Sequence, residues 1–164
     1  MAEDDLTAKA RAVLDRCRKA GWTLATAESC TGGMIAAALT QIAGSSDVVE
    51  RGFVTYSNAA KSELLGVPAA LIAAHGAVSA EVAEAMAAGA IARAPVDLAV
   101  SVTGIAGPGG ATPMKPVGLV FFGIARRGGR CESERQVFAG DRGAVRQAAT
   151  LRALDLLQAA AEGG

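Results

Sequence analysis

Three polar, glycine-bearing segments of this chain hold side chains that could do chemistry. Ser29 sits in Glu28-Ser29-Cys30-Thr31-Gly32-Gly33, between an apolar stretch and a helical pattern. A hydroxyl there has three readings. Ser29 or Thr31 can cap the helix through an early amide, with the glycines letting the backbone turn. Ser29 can instead be a nucleophile beside helix-terminal amides that stabilise an oxyanion. Or the glycine turn can cradle a phosphate. The segment is neither Gly-x-Ser-x-Gly nor a P-loop. Cys30 is a rival nucleophile, but a thiol needs a histidine or another thiolate-stabilising group, so it is read as packing or support.

The second segment is Tyr56-Ser57-Asn58-Ala59-Ala60-Lys61. Lys61 is either a solvated lysine on a short helix or a partly buried amine whose lowered pKa lets it accept a proton. Ser-Lys pairs are a known variation on triad logic. Tyr56, the sole tyrosine, ends a strand and either orients the lysine or touches substrate, or is an amphipathic residue at the core edge. The third segment, Thr103-Gly104-Ile105-Ala106-Gly107-Pro108-Gly109-Gly110, can present several amides to one ligand or be a plain surface loop. Thr103 has the position of a ligand contact. Arg142, after the Asp141 cap, either binds a phosphate or is a solvated charge. His75 is read as structural, and Arg126, Arg127 and Arg130 as solvated.

The elements that must position these residues follow from periodicity. Leu6, Ala10, Val13, Leu14 and Cys17 mark an amphipathic helix stopped by Gly21. Thr23–Ala27 is a short buried strand, and a helix begins at about Thr31 with Ile35, Ala38, Leu39 and Ile42 on one face. Val48–Tyr56 is a second strand. Asn58 caps a short helix through Leu65, and Pro68–Ala74 adds a further helical turn or two. Ser79 caps an alanine-rich helix to about Arg93, and Asp97–Thr103 is a third strand. After the Gly104–Pro116 loop come strands Val117–Ala125 and Arg130–Phe138, joined by an Arg127-Gly128-Gly129-Arg130 hairpin; the last is polar, as a sheet edge should be. Asp141 starts the final helix, with Ala144, Ala148, Leu151 and Leu154 on one face. Helices alternating with the first three strands predict parallel pairing through right-handed crossovers. The expected product is one domain across residues 1–164, a three-layer α/β/α sandwich around a mixed five-stranded sheet. Ligands in such sheets bind beyond the carboxyl ends of the parallel strands, and all three polar segments fall there.

Composition narrows the function. The 164 residues carry 16 basic and 16 acidic side chains, so the net charge is zero and no nucleic-acid-binding excess exists. No run of about 18 apolar residues predicts a membrane span. The acidic start Met1-Ala2-Glu3-Asp4-Asp5 is the opposite of a secretory signal, and a cytoplasmic address is expected. Cys17, Cys30 and Cys131 are widely spaced and His75 is the single histidine, too few ligands for zinc. Any general base is therefore His75, a carboxylate, a tyrosine or a lysine. Small alanine-rich helices suggest self-association, so a homo-oligomer is expected.

Six segments together resemble a known family. Thr26-Ala27-Glu28-Ser29-Cys30-Thr31-Gly32-Gly33, Tyr56-Ser57-Asn58-Ala59-Ala60-Lys61, His75-Gly76-Ala77-Val78-Ser79, Thr103-Gly104-Ile105-Ala106-Gly107-Pro108, Lys115-Pro116-Val117-Gly118 and Gly140-Asp141-Arg142 occur in the order and at the spacing of the carboxy-terminal domain of CinA (competence/damage-inducible) proteins. Standalone members of that family are nicotinamide-nucleotide amidases, which turn nicotinamide mononucleotide and water into nicotinate mononucleotide and ammonia. The resemblance implies Ser29 as nucleophile, Lys61 as base and Tyr56 as the third catalytic side chain. It implies a substrate-binding set of Glu28, Thr31, Gly32, Gly33, Thr103, Gly104, Gly107 and Arg142, with Arg142 or Lys115 near the phosphate. It requires neither cofactor nor metal. Many relatives have an aspartate where this chain has Gly109, which bears on ribose recognition. Full-length CinA proteins carry a further amino-terminal domain, so activity belonging to that domain is not expected here. The rival expectations are a nucleotide-binding or interaction domain without activity, and an amidase for another small amide.

Overall fold

A computed structural model describes residues 2–163. Helix α1 (Asp5–Ala20) is opened by the Asp4 carboxylate, which accepts from Thr7 N at 2.7 Å, and is closed by Gly21 at φ +71. Strand β1 (Leu24–Glu28) follows, then α2 (Met34–Thr40), a 3-10 turn at Ser45–Asp47 and β2 (Val49–Val54). Helices α3 (Asn58–Leu65), α4 (Ala69–His75) and α5 (Ala80–Arg93) precede β3 (Leu98–Gly104). Strands β4 (Leu119–Arg126) and β5 (Cys131–Val137) form the hairpin, and α6 (Arg142–Glu162) ends the order.

The sheet order is β2-β1-β3-β4-β5. Strand β1 pairs in parallel with both β2 and β3, while β4 runs antiparallel to β3 and to β5. This is the expected mixed five-stranded sheet, with the polar fifth strand at an edge.

Register fixes which side chains meet which helices. Leu24, Thr26 and Glu28 stand beside Leu98, Val100 and Val102, and Leu24, Leu98, Val100 and Val102 share a core with α1, α2 and α6. Ala27 and Ala99 face the other way, into a core with Leu65 of α3, Ile72 of α4 and Val82 and Met86 of α5. Successive strand residues thus serve opposite layers. Each fully buried Leu or Val in these cores contributes about 1.5–3 kcal/mol of apolar transfer. Small residues set the spacing: a Cβ added at Gly89 would lie 2.0 Å from the Leu65 carbonyl oxygen, so α5 and α3 touch through backbone.

Four expectations change. Helix α2 starts at Met34, not near Thr31, because Thr31 to Gly33 form a turn with Gly32 and Gly33 at positive φ. Helix α3 is capped by Ser57, whose hydroxyl accepts from Ala60 N at 3.0 Å, and Asn58 is its first residue. The buried face of α6 carries Val145, Ala149, Ala153, Leu154 and Leu157, one residue out of phase with the expected Ala144, Ala148 and Leu151. Strand β4 starts at Leu119, not Val117, because Gly118 donates to the Ile105 carbonyl and turns the chain first. Among the described residues no helix is long and apolar enough to cross a membrane.

Candidate active site

The site grows from the carboxyl end of β1. Glu28 is fully buried, and its carboxylate accepts from Thr31 Oγ1 at 2.6 Å, Ile35 N at 2.9 Å and Ala36 N at 3.0 Å. The anion thus satisfies orphan amides at the start of α2, where the helix dipole favours negative charge. The cap of α2 is therefore Glu28, not Ser29 or Thr31. The turn is completed by Gly32 N donating to Ser29 O and Met34 N to Thr31 O, both at 3.0 Å.

Ser29 continues the ladder by one residue, donating its amide to Val102 O at 3.0 Å. Alternation turns its side chain to the face opposite Glu28, toward α3. Lys61 meets it there: Nζ lies 2.9 Å from Ser29 Oγ, 3.0 Å from the Thr55 carbonyl and 3.3 Å from the Tyr56 carbonyl. Lys61 is 1% exposed. Burial pushes its pKa below the ordinary lysine value. A neutral amine has two N–H bonds and one lone pair. Two carbonyls and one hydroxyl match that count, so the lone pair falls to Ser29. The neighbouring Cys30 thiol packs in the apolar core, burial pushes it up to about 11, and the Lys61 amine is bonded to Ser29 rather than to this sulfur.

The remaining groups close a cavity of about 270 Å³ around this pair. Tyr56, Thr103, Gly104 and Arg142 line it with Ser29, Cys30 and Lys61. Arg142 donates to the Gly107 carbonyl at 2.8 Å and to the Tyr56 hydroxyl at 3.1 Å, tying three separate loops together. The Thr103 hydroxyl donates to the Ala77 carbonyl at 2.9 Å. Tyr56 is 63% exposed, with its ring at the mouth.

Other expected site residues stand outside the cavity. Glu28 and Thr31 are buried behind the turn and occupied with each other. Gly32 faces Arg146 and Gly33 faces Val54. Gly107 contributes through its carbonyl, held by Arg142. Lys115 donates to the His75 carbonyl at 2.6 Å and borders a neighbouring groove. Asn58, Ala77, Val78 and Ala106 line the cavity without having been foreseen as contacts; Asn58 was legible only as a cap. Wider grooves lie beside Phe122 and Arg130, about 350 Å³, and beside Pro95 and Arg127, about 500 Å³. Neither holds a buried hydroxyl against an amine, so chemistry and not volume selects the site. Among the described residues no group of three or more His, Cys, Asp or Glu side chains could hold a metal ion.

A buried Ser-Lys contact at the carboxyl rim of a three-layer α/β/α sheet defines a domain equipped for acyl transfer. A profile described as the CinA C-terminal domain matches residues 6–161, and the chain belongs to that family. It is 57% identical over 145 residues to a CinA-like protein of Mycolicibacterium vanbaalenii, covering 88% of this chain and 34% of that protein. The chain therefore spans about a third of the length of that relative. It is 48% identical over 157 residues to the nicotinamide-nucleotide amidohydrolase PncC of Escherichia coli strain K12, covering 96% and 95% of the two chains. The crystal structure of competence/damage inducible protein CihA from Agrobacterium tumefaciens superposes with a TM-score of 0.93 at 45% identity, covering 97% of each chain.

Proposed function

We propose that this chain is a nicotinamide-nucleotide amidase, with residues 1–164 as one catalytic domain. The observation that carries the reading is the 2.9 Å approach of a buried Lys61 amine, without an ion pair among the described residues, to Ser29 Oγ. Likeness to PncC over nearly the full length of both chains supplies the substrate class.

The neutral Lys61 amine takes the Ser29 proton as Oγ bonds to the carboxamide carbon, leaving a tetrahedral oxyanion. Collapse breaks the C–N bond, and the Lys61 ammonium returns its proton to the departing nitrogen as ammonia. Water then adds to the nicotinoyl ester with Lys61 again as base, and Ser29 leaves as the hydroxyl. Tyr56 and Arg142, hydrogen-bonded to each other, hold the nucleotide's ribose-phosphate portion at the mouth, beside Thr103 and Gly104. No step calls for a metal or organic cofactor. Ammonia release from nicotinamide mononucleotide, beside a Ser29→Ala control, tests the scheme. Turnover that survives the substitution sinks it. Self-association belongs to the same proposal, and sedimentation at catalytic concentrations reads it directly.

A further inference from the structure

Arg146 lies on α6, one turn beyond Arg142, and its guanidinium reaches under the turn that carries Ser29. Its Nε donates to the Cys30 carbonyl at 3.0 Å and its Nη2 to the Thr31 carbonyl at 3.4 Å. Arg152 spends its charge on the Glu134 carboxylate at 2.6 Å, whereas Arg126, Arg127 and Arg142 donate to backbone carbonyls. Arg146, half-buried, forms no ion pair among the described residues, and its charge falls on two peptide oxygens. A Cβ at Gly32 would come within 3.2 Å of Nη2, so a glycine lets the cation this close.

Those peptides pass the charge on. The unit whose oxygen is on Thr31 ends in the Gly32 N–H, which donates to the Ser29 carbonyl at 3.0 Å. The next unit, whose oxygen is on Ser29, ends in the Cys30 N–H. That donor has no backbone acceptor among the described residues, and Cys30 lines the cavity. Hydrogen bonds in a chain polarise one another. A cation at one end therefore strengthens the Cys30 N–H at the other, which has no carbonyl partner among the described residues and lies against its own sulfur, on the residue next to the nucleophile where the oxyanion develops.

We propose that Arg146 is a positioning residue for amide hydrolysis: it fixes the Ser29–Gly33 turn and raises the donor strength of the Cys30 N–H toward the oxyanion. The proposal rests on the amidase reading of Ser29. Arg142 and Arg146 then divide the labour of α6, one facing the ligand and one facing the turn.

The test compares native protein with Arg146→Met and Arg146→Lys in three readouts. They are turnover of nicotinamide mononucleotide, the rate at which diisopropyl fluorophosphate labels Ser29, and melting temperature. Arg146→Met should lose roughly 30- to 300-fold in kcat with KM within about threefold, because the lost stabilisation belongs to the transition state. Labelling should fall in step, the acid limb of the pH profile should stay in place, and guanidinium below denaturing concentration should restore at least about tenfold of the loss. Arg146→Lys should fall between, since it keeps the charge and loses the fork. A kcat within about threefold of native overturns the proposal, as does a loss that guanidinium fails to relieve. If Arg146→Met does not fold, the same comparison in Arg146→Lys decides: native kcat and labelling in both charge-bearing forms at unequal fork geometry overturn the positioning role. Native protein that neither releases ammonia nor labels at Ser29 removes the amidase reading and this proposal together, whereas native turnover with unimpaired variants removes only this one.

Discussion

The turn at Ser29–Gly33 and the loop at Pro108–Pro116 leave neighbouring parallel strands at the same rim of the sheet. Both are short and rich in glycine. The turn is held from three directions: Glu28 holds its far end from within, Arg146 holds two of its carbonyls from below, and Ser29 is bonded to Lys61. The loop is anchored at its base, where the Ile105 N–H donates to the Leu119 carbonyl and the Gly118 N–H to the Ile105 carbonyl. Beyond that base, Thr112 and Lys115 bond reciprocally to one another, and Met114 at the tip is 86% exposed. Glycine serves different ends in the two. In the turn it admits positive φ and a close cation; in the loop Gly110 also takes positive φ, at +92, while Gly109 meets nothing within 4 Å. What makes one segment a catalytic platform is the number of buried polar partners closing it, not its composition.

That contrast can be broken experimentally. The largest effect should come from Lys61→Met, which removes the base and should lower turnover by at least about 10³-fold. The same change should leave melting temperature unchanged or higher, because a buried amine without a carboxylate is replaced by an apolar chain of similar length. A melting temperature that falls sharply would mean that the amine stabilises the fold after all. Next comes Glu28→Gln. It leaves amides of α2 facing an amide group in place of a carboxylate, and should cost about 2–4 kcal/mol of stability in urea titration. If stability holds while substrate affinity collapses, Glu28 belongs to the ligand and not to the helix.

Acidity should move both quantities. Turnover per bound substrate should rise with pH through the lowered Lys61 pKa and then level off, with the midpoint below the ordinary 10.5. Between the folded and unfolded values the unfolded chain binds more protons, so Lys61 makes stability climb with pH across that window. Its full penalty applies below the folded value and vanishes above the unfolded one. Charge-state-dependent turnover with no such slope in Lys61→Met would tie both effects to this amine. The smallest effects separate the two glycine segments directly. Gly32→Ala forces an alanine to φ +58 against Arg146, and should cost about 1–2 kcal/mol with a matching fall in kcat. Gly109→Ala meets nothing within 4 Å and should stay within about 0.5 kcal/mol of native.

Much of this architecture was legible in the residues. Gly21, Ser79 and Asp141 end or begin helices where their conformational and hydrogen-bonding preferences place them. The parallel-then-antiparallel sheet followed from alternation and the Gly128-Gly129 hairpin. Ser29, Lys61, Tyr56, Thr103 and Arg142 do converge on one cavity. The rest was hidden for physical reasons. Glu28 entered the expected substrate-binding set through the family resemblance; in the structure it is buried and shares the parity of Leu24, whose face is core. Strand parity was the available signal. The phase of α6 was obscured because alanines surround the helix and flatten its apolar contrast. Ser57 and Asn58 are both good caps, and only the fold chooses between them. Arg146 left no trace at all: its role depends on how α6 passes under a turn more than a hundred residues earlier.

Helix α6 also sets a temporal order. Translation delivers Ser29 and Lys61 well before residues 142–162, but α3 packs on α4 and α5 and the Ser29 amide is tied to Val102 of β3, so the hydroxyl and the amine meet only once those elements are in place. Helix α6 is then the last part of the site in chain order, and one helix both seals the core beneath the sheet and carries the two guanidinium groups of Arg142 and Arg146.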